Sequence, residues 1–577
     1  MATLLCRRGG RPLAGSRHDG YGVLLGLLGA LSGGCAATWH GDLVDPLAAW
    51  RPPPGTEPSA EETPWTAPSL PGKSGGAPPG RTIAAASHGP PPASRPVART
   101  AQGKGEVAPE AAAAPPEAAA GAASEPAPPV PPQGARVYGF SGLTKIHLEP
   151  DLDAPIIGAI RAGQSIPLKP DATRFERRKL YLCTDGWYAV EPRGYVCVGG
   201  LNATLDAGDP RVAAAAEALP DTAQVYPFRF GTSAGAPQYL RIPTKEEQRQ
   251  AERGLDQYLA SLPAPDPEQG DAIDATPAGK GPSAAFLRYQ EIVKPPLLLE
   301  QEAYAGMKVS WARELDANGR TWLLTPNMTL VPKDKVRVGP VPAMQGVDLR
   351  SNPQMKLPLA FLWLEDAVVY RRDPKGELVE TAEKLPRHSF WPTTGRSVRG
   401  PGGIYWELRG GDYIKYALAT IIKKADARPN RVGPKDKWIR VRVTWGYLVA
   451  YEGSTPVYAT AVSPGIDGIS KGPYATKRGR HVIGWKMLSA DMDGRDKGKD
   501  WFVDEVPWTQ YYVGSYALHG AWWHDEFGRP KSHGCVNLPP ADARWLFGWT
   551  DPVMPEGWYA VTSFWPQVKG TLVELGY

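Results

Sequence analysis

Cysteine, histidine and glycine gather in one short stretch near the C-terminus. Ser532-His533-Gly534-Cys535-Val536-Asn537 begins twelve positions after Gly520 of a His519-Gly520 pair. A thiolate attacks carbonyl carbon readily, but an ordinary thiol stays protonated at neutral pH, so a working cysteine needs a base or a positive neighbour. His533 is two residues from Cys535 and would share its face in an extended strand, whereas His519 would approach the sulfur from a neighbouring strand. Gly534 admits backbone conformations closed to other residues. Amide N–H groups can then converge beside the sulfur as an oxyanion hole, a device worth ~3 kcal/mol per donor. These residue types fit acyl transfer through a covalent cysteine intermediate. A metal centre fits poorly: His519, His524 and His533 are spaced by five and nine, and no zinc spacing or His-Glu-x-x-His occurs. Lys471-Gly472 with Gly479 likewise lacks phosphate-loop spacing. Neither a metal nor a cofactor is expected.

The elements that must hold this chemistry read as β-structure. Trp438–Tyr451 alternates apolar and polar residues around Gly446, which predicts a hairpin opening a new domain. Short strands are expected at Pro456–Val462, His481–Ile483 and Trp558–Ser563. The aromatics Trp501, Trp508, Tyr511 and Tyr512 precede His519; one of the two tyrosines is expected to touch substrate, and Tyr512 is the one chosen.

With these residues in view, the segment from about 437 to 565 resembles the L,D-transpeptidase catalytic domain family. The resemblance is carried by Ser532–Asn537, His519-Gly520, the opening hairpin, Val462-Ser463-Pro464-Gly465 and Phe527-Gly528-Arg529-Pro530. It implies a β-sandwich with short helices over 435–577, Cys535 as nucleophile and His519 as general base and later acid. The carbonyl of Gly520 or of a neighbour would orient His519, and amides at His533, Gly534 and Cys535 would hold the oxyanion. Ser532, His533 and Asn537 would pin the loop. Thr476-Lys477-Arg478-Gly479 stands where the family has Thr-Pro-x-Gly, so Thr476 is read as a substrate-side residue, with two cations that favour an acidic stem. The implied partner is a peptidoglycan stem peptide and the implied reaction is cell-wall cross-linking. Cys535 takes the carbonyl of the third stem residue, terminal D-Ala leaves, and an amine resolves the thioester. Two alternatives stand beside it: water as the acceptor, or an inactive domain on a wall-binding scaffold.

The rest of the chain frames that domain. Over 577 residues, 62 prolines and 64 glycines exclude a single compact globule, while 42% hydrophobic residues with 20 tryptophans exclude wholesale disorder. Net charge is +5, but Lys and Arg are scattered, so nucleic acid is not an expected partner. Arg7, Arg8, Arg11 and Arg17 precede an apolar run, Tyr21–Leu31, too short to span a bilayer; residues 1–35 read as an export signal. Ser32-Gly33-Gly34-Cys35 resembles a lipobox with its leucine one position early. It implies lipidation of Cys35 and a periplasmic protein anchored by lipid, in the outer membrane since Ala36 follows. Residues 36–134 read as a disordered linker, with 19 of 26 positions from Ala108 to Gln133 Ala or Pro. Of the five cysteines, Cys6 would leave with the signal, Cys35 would carry lipid, and Cys183 and Cys197 could pair in an oxidising compartment, which leaves Cys535 alone.

Residues 135–204 resemble a bacterial SH3-like module, through Asp185-Gly186-Trp187-Tyr188-Ala189-Val190 and Gly194-Tyr195-Val196-Cys197. Weaker echoes around Trp322 and Trp406 predict two more small β-barrel-like units within 205–434. A single helix is expected over Lys245–Leu262, followed by a surface loop to Pro282.

Overall fold

The computed structural model describes residues 134–577 other than 171, 173, 176–182, 201, 264–280, 469–471, 497–498 and 565–567. The expected export signal, Cys35, the Ala/Pro-rich stretch and most of the 263–282 loop lie outside the described residues. The described chain is mainly β.

Alternation over Val137–Val198 becomes short strands. Leu143–His147 (β1), Ile156–Arg161 (β2), Gly186–Ala189 (β3) and Tyr195–Val198 (β4) pair in the order β2-β1-β4-β3. Arg136–Gly139 pairs with Ser165–Pro167 and Ala203–Thr204. Val137, Ile146, Ile157, Ile160 and Val196 fill the space between these layers. A disulfide joins Cys183 to Cys197, with Cα atoms 5.1 Å apart, and Trp187 is buried against both.

In the middle region, Trp322 is fully buried with Tyr239, Phe286 and Leu330, behind a hairpin turned by Asn318 and Gly319 at positive φ. Trp406 is only partly buried and stacks on Tyr416 at 4.5 Å in a different, seven-stranded sheet. The single helix expected from Lys245 is two, Lys245–Ala251 (α1) and Leu255–Ser261 (α2). The break has a long-range cause. Glu252 turns inward to pair with Arg320 at 2.6 Å and accepts the Tyr239 hydroxyl at 2.8 Å, and Gly254 takes φ +77° to restart the helix. Lys308–Trp311 (β5) follows.

The C-terminal region packs two sheets face to face. Lys437–Arg442 (β6), Tyr447–Glu452 (β7) and Thr455–Ala461 (β8) form an antiparallel meander, the first turn made at Gly446 with φ +61°. The second sheet is built on a long hairpin of Trp485–Asp496 (β9) and Lys499–Val513 (β10). Tyr516–Gly520 (β11) and Val536–Leu538 (β12) extend it on one side, and Ala560–Thr562 (β13) pairs with β9 on the other. Between β12 and β13 runs a helix, Pro540–Trp549 (α3), and Leu572–Gly576 (β14) closes the chain parallel to β6. Ile439, Val441 and Leu448 from the first sheet meet Met487, Leu518 and Val536 from the second, with Leu546 and Phe547 of α3. One side chain gathers the end of α3 and the turn after it: buried Lys486 donates to the carbonyls of Phe547, Thr550 and Pro552 at 2.6, 2.8 and 2.9 Å.

Units that read as separate in sequence share hydrogen bonds here. β2 pairs with β13, Gly158 opposite Val561, and β5 runs parallel to β10, Lys308 opposite Val503. The first junction needs glycine, because a Cβ on Gly158 would lie 2.3 Å from the Trp558 ring. Cys183→Ser opens a loop with a sequence separation of 14 and is expected to destabilise the protein by ~3 kcal/mol. Thermal denaturation under oxidising conditions measures it, and acylation of Cys535 should be unaffected.

Candidate active site

A three-pair parallel ladder positions the two reactive groups. β11 and β12 align Leu518 with Val536, His519 with Asn537 and Gly520 with Leu538. Residues in register face the same side of a sheet and successive residues alternate. Leu518, Val536 and Leu538 are fully buried in the interlayer core. The other face therefore carries His519 and Asn537, and one step back along the ladder, Ala517 and Cys535. Consistent with that register, the Ala517 N–H is directed at the Cys535 sulfur, which also lies 3.7 Å from the Ser515 carbonyl oxygen.

His519 is 2% exposed, and its Nδ1 lies 3.1 Å from the Gly520 carbonyl oxygen. A carbonyl only accepts, so Nδ1 carries the proton and Nε2 keeps its lone pair. The ring is backed by Trp523 at 5.9 Å. Burial holds the imidazole down at about 4, against the opposing pull of the Gly520 carbonyl. Cys535 is half-buried, and desolvation pushes its thiol up to about 11 despite the Ala517 N–H. At neutral pH both partners are uncharged. Any attack by this sulfur would therefore have to shed its proton in the same step.

The loop before β12 is tied from several sides. Ser532 Oγ donates to the Cys535 carbonyl and accepts from the Gly534 N–H at 3.0 Å. That bond engages the Gly534 amide, so Gly534 supports the loop and does not serve as the oxyanion donor expected from sequence. Gly534 takes φ +128°, and a Cβ there would meet the Tyr516 ring at 2.6 Å. The Val462–Gly465 segment clamps the other side. Ser463 and Asn537 exchange backbone hydrogen bonds at 2.8 and 2.9 Å, and Pro464 O accepts from Lys531 N and Ser532 N. Asn537 is 2% exposed, and its amide sits 2.9 Å from Nε2 of His524. Burial pushes His524 down to about 4. It lies in the loop between β11 and β12 and supports Asn537 from there. Nothing in its spacing marked that role.

Two expected substrate contacts are placed elsewhere. Thr476 is 2% exposed; its hydroxyl donates to the Gly534 carbonyl at 3.0 Å and accepts from Gly465 N at 2.8 Å, so it is a tie and not a surface contact. Tyr512 is buried in the interlayer core, its ring 5.6 Å from His481, and burial raises its hydroxyl well above the usual range. Its neighbour Tyr511 is half-buried and pairs with Ala517, which puts it on the face of Cys535. His533 is exposed, stacked on Trp501 at 5.0 Å and met edge-on by Tyr474 at 5.0 Å. The three histidines thus serve a carbonyl, an amide and an aromatic pair, and do not converge as metal ligands.

Residues 436–574 match the family model of the L,D-transpeptidase catalytic domain, YkuD, and all the loop and strand residues above fall in that span. A search of the curated proteins finds no match. Among solved structures, the chain is similar to a mutant L,D-transpeptidase of Enterococcus faecium, at 20% identity over 27% of this chain and 56% of that one, TM-score 0.20. It is also similar to the L,D-transpeptidase of Xylanimonas cellulosilytica, at 25% identity over 26% and 64%, TM-score 0.16. A third is an L,D-transpeptidase from Mycobacterium smegmatis, at 17% identity over 42% and 89%, TM-score 0.19. The chain spans a little over half of the first of these relatives. The class of the site-bearing segment rests on the family match and not on these superpositions.

Alkylation of Cys535 by iodoacetamide is expected to accelerate about tenfold per pH unit through the neutral range, with no plateau below about pH 9. A plateau in acid would reveal a preformed thiolate–imidazolium pair and overturn the neutral resting state. Thr476→Val removes both hydrogen bonds of the tie at nearly constant volume. It should cost about 1–3 kcal/mol in urea denaturation and slow acylation.

Proposed function

We propose that the protein is a cysteine acyltransferase that acts on peptidoglycan stem peptides by L,D-transpeptidation. The observation that carries this reading is the shared face of Cys535 and His519, with Nε2 of His519 fixed as the accepting nitrogen by the Gly520 carbonyl. The sulfur attacks the carbonyl carbon of the third stem residue, and its proton passes to Nε2. Charge that develops on the carbonyl oxygen is met by backbone amides at the Cys535 turn. The imidazolium then gives its proton to the departing D-Ala nitrogen as the C–N bond breaks, leaving a thioester. An acceptor amine attacks that thioester and loses a proton to His519, and the proton returns to sulfur as it leaves. Division into two acyl transfers replaces one high barrier by two lower ones. Every step uses side chains and amides of the chain itself.

The cellular setting belongs to the same proposal. Export through residues 1–35, lipid on Cys35 and an SH3-like wall-binding unit over 135–204 would hold the enzyme in the periplasm beside its polymer.

The test is intact mass after incubation with a tetrapeptide-stem muropeptide. The wild type should gain an acyl group on Cys535 and release D-Ala, Cys535→Ala should do neither, and His519→Ala should acylate at least ~100-fold more slowly. An adduct that persists in Cys535→Ala, or D-Ala retained by the wild type, overturns the assignment. D-Ala release with no cross-linked product would assign water as the acceptor.

A further inference from the structure

Away from Cys535, three carboxylates converge where the β9–β10 hairpin meets β5 and β2. Asp491, Asp504 and Glu505 each offer an oxygen, and these atoms lie within 4.8 Å of one another. The convergence follows from the strand register. Ala490 pairs with Val506 and Met492 with Val503, so Asp491 alone opposes both Asp504 and Glu505 across a β-bulge. Glu505 takes φ +48° there, and its N–H donates to Asp491 Oδ1 at 3.0 Å. Asp504 and Glu505 are 6% and 2% exposed, while Asp491 is exposed and forms the mouth.

Their partners do not balance them. Glu505 is satisfied: Arg161 lies 2.6 Å from Oε1, while Oε2 takes the Tyr559 hydroxyl at 2.9 Å and the Ser489 hydroxyl. Asp504 Oδ2 accepts from the N–H and hydroxyl of Ser310, at 3.0 and 2.6 Å. Its other oxygen, Oδ1, is buried and receives no hydrogen bond from any amide, hydroxyl or cationic donor. The Asp504 side chain is within hydrogen-bond reach of the Asp491 carboxyl, a contact that two ionised carboxylates cannot make without a proton or a cation between them. With all three ionised, three carboxylates against the one guanidinium of Arg161 would leave two negative charges over. One doubly charged cation supplies both the missing charge and the missing partner for Oδ1.

We propose that Asp491, Asp504 and Glu505 bind a hard divalent cation of the calcium class. The donors are oxygen throughout, which disfavours zinc and copper, and the open side at Asp491 admits water to complete an irregular shell, as calcium tolerates better than magnesium. The ion fastens the β9–β10 hairpin to β5 through the Asp504–Ser310 bonds and to β2 through the Glu505–Arg161 pair. It is structural, separate from the acyl-transfer site, and stands whether or not that site transfers acyl groups.

The experiment takes the full chain, stripped with a chelator, and follows thermal unfolding against added calcium chloride, with sodium chloride at matched ionic strength as control. Terbium luminescence reports occupancy in parallel. A saturable rise in Tm with calcium is expected, together with terbium emission that calcium displaces. Asp504→Asn loses a buried anion that binds Ser310 and risks misfolding, so the deciding variant is Asp491→Asn, at the exposed mouth. It should keep the fold and weaken calcium binding at least ~10-fold. No calcium-dependent shift at millimolar concentration would mean that a proton shared between Asp491 and Asp504 takes the place of the ion, and overturns the proposal. A shift that Asp491→Asn retains in full also overturns it.

Discussion

Three residue pairs between β11 and β12 decide whether this protein has a reactive centre. Side chains alternate faces along a strand, so a slip of one residue in so short a ladder would send either Cys535 or His519 into the interlayer core. A three-residue strand cannot hold its own register. The register is held by the surroundings: Ser463 exchanges backbone hydrogen bonds with Asn537, Ser532 grips the turn, and Thr476 ties the Gly534 carbonyl to Gly465. The Val462–Gly465 segment, some seventy residues upstream in sequence, is thus as much a part of the site as the turn that bears the sulfur.

The same packing sets the charge state. The group that orients His519 is a neutral carbonyl and not a carboxylate, so nothing close by stabilises an imidazolium in advance. With the ring 2% exposed, desolvation dominates and the imidazole rests neutral. A neutral thiol beside a neutral imidazole is a poor nucleophile toward passing electrophiles. In the proposed reaction it would become effective only where a bound carbonyl lets negative charge develop on an oxygen held by amide N–H groups. Selectivity would then come from coupling proton transfer to attack, and not from a standing thiolate.

How far the sequence shows this depends on the range of the interactions. Ser532–Asn537, His519-Gly520 and the Gly446 hairpin are local patterns, and each was legible. Tyr512 was misplaced because strand alternation next to a register shift decides between it and Tyr511, and nothing in the residue types marks the shift. Thr476 reads as a substrate-side residue because its segment stands in place of the family's Thr-Pro-x-Gly, yet Lys477 and Arg478 are exposed while the threonine hydroxyl turns in. The helix from Lys245 breaks where Glu252 meets Arg320, 68 residues away, beyond any periodicity window. The carboxylate cluster was invisible for the same reason. Asp491 meets Asp504 and Glu505 only through a bulge, and their counter-ion is Arg161, from the far end of the described chain.

Those long-range contacts change how the architecture should be understood. A site-bearing sheet that ended at β13 would present an unpaired edge, which proteins cover or charge to prevent association. Here β2 covers it, and the seam is sealed by Trp558 packed over Gly158 and by the Arg161–Tyr559–Glu505 network. On the other flank β5 lies along β10 and buries Asp504. Removal of the N-terminal strands would uncover an edge and also strip Glu505 of its guanidinium, leaving a buried anion without compensation at the base of the hairpin. That hairpin carries Trp501, which stacks on His533 two residues from the sulfur. The flanking β units are therefore structural parts of the strands that bear the site, and a boundary drawn at residue 435 divides the sequence where the hydrogen-bonded sheet does not divide.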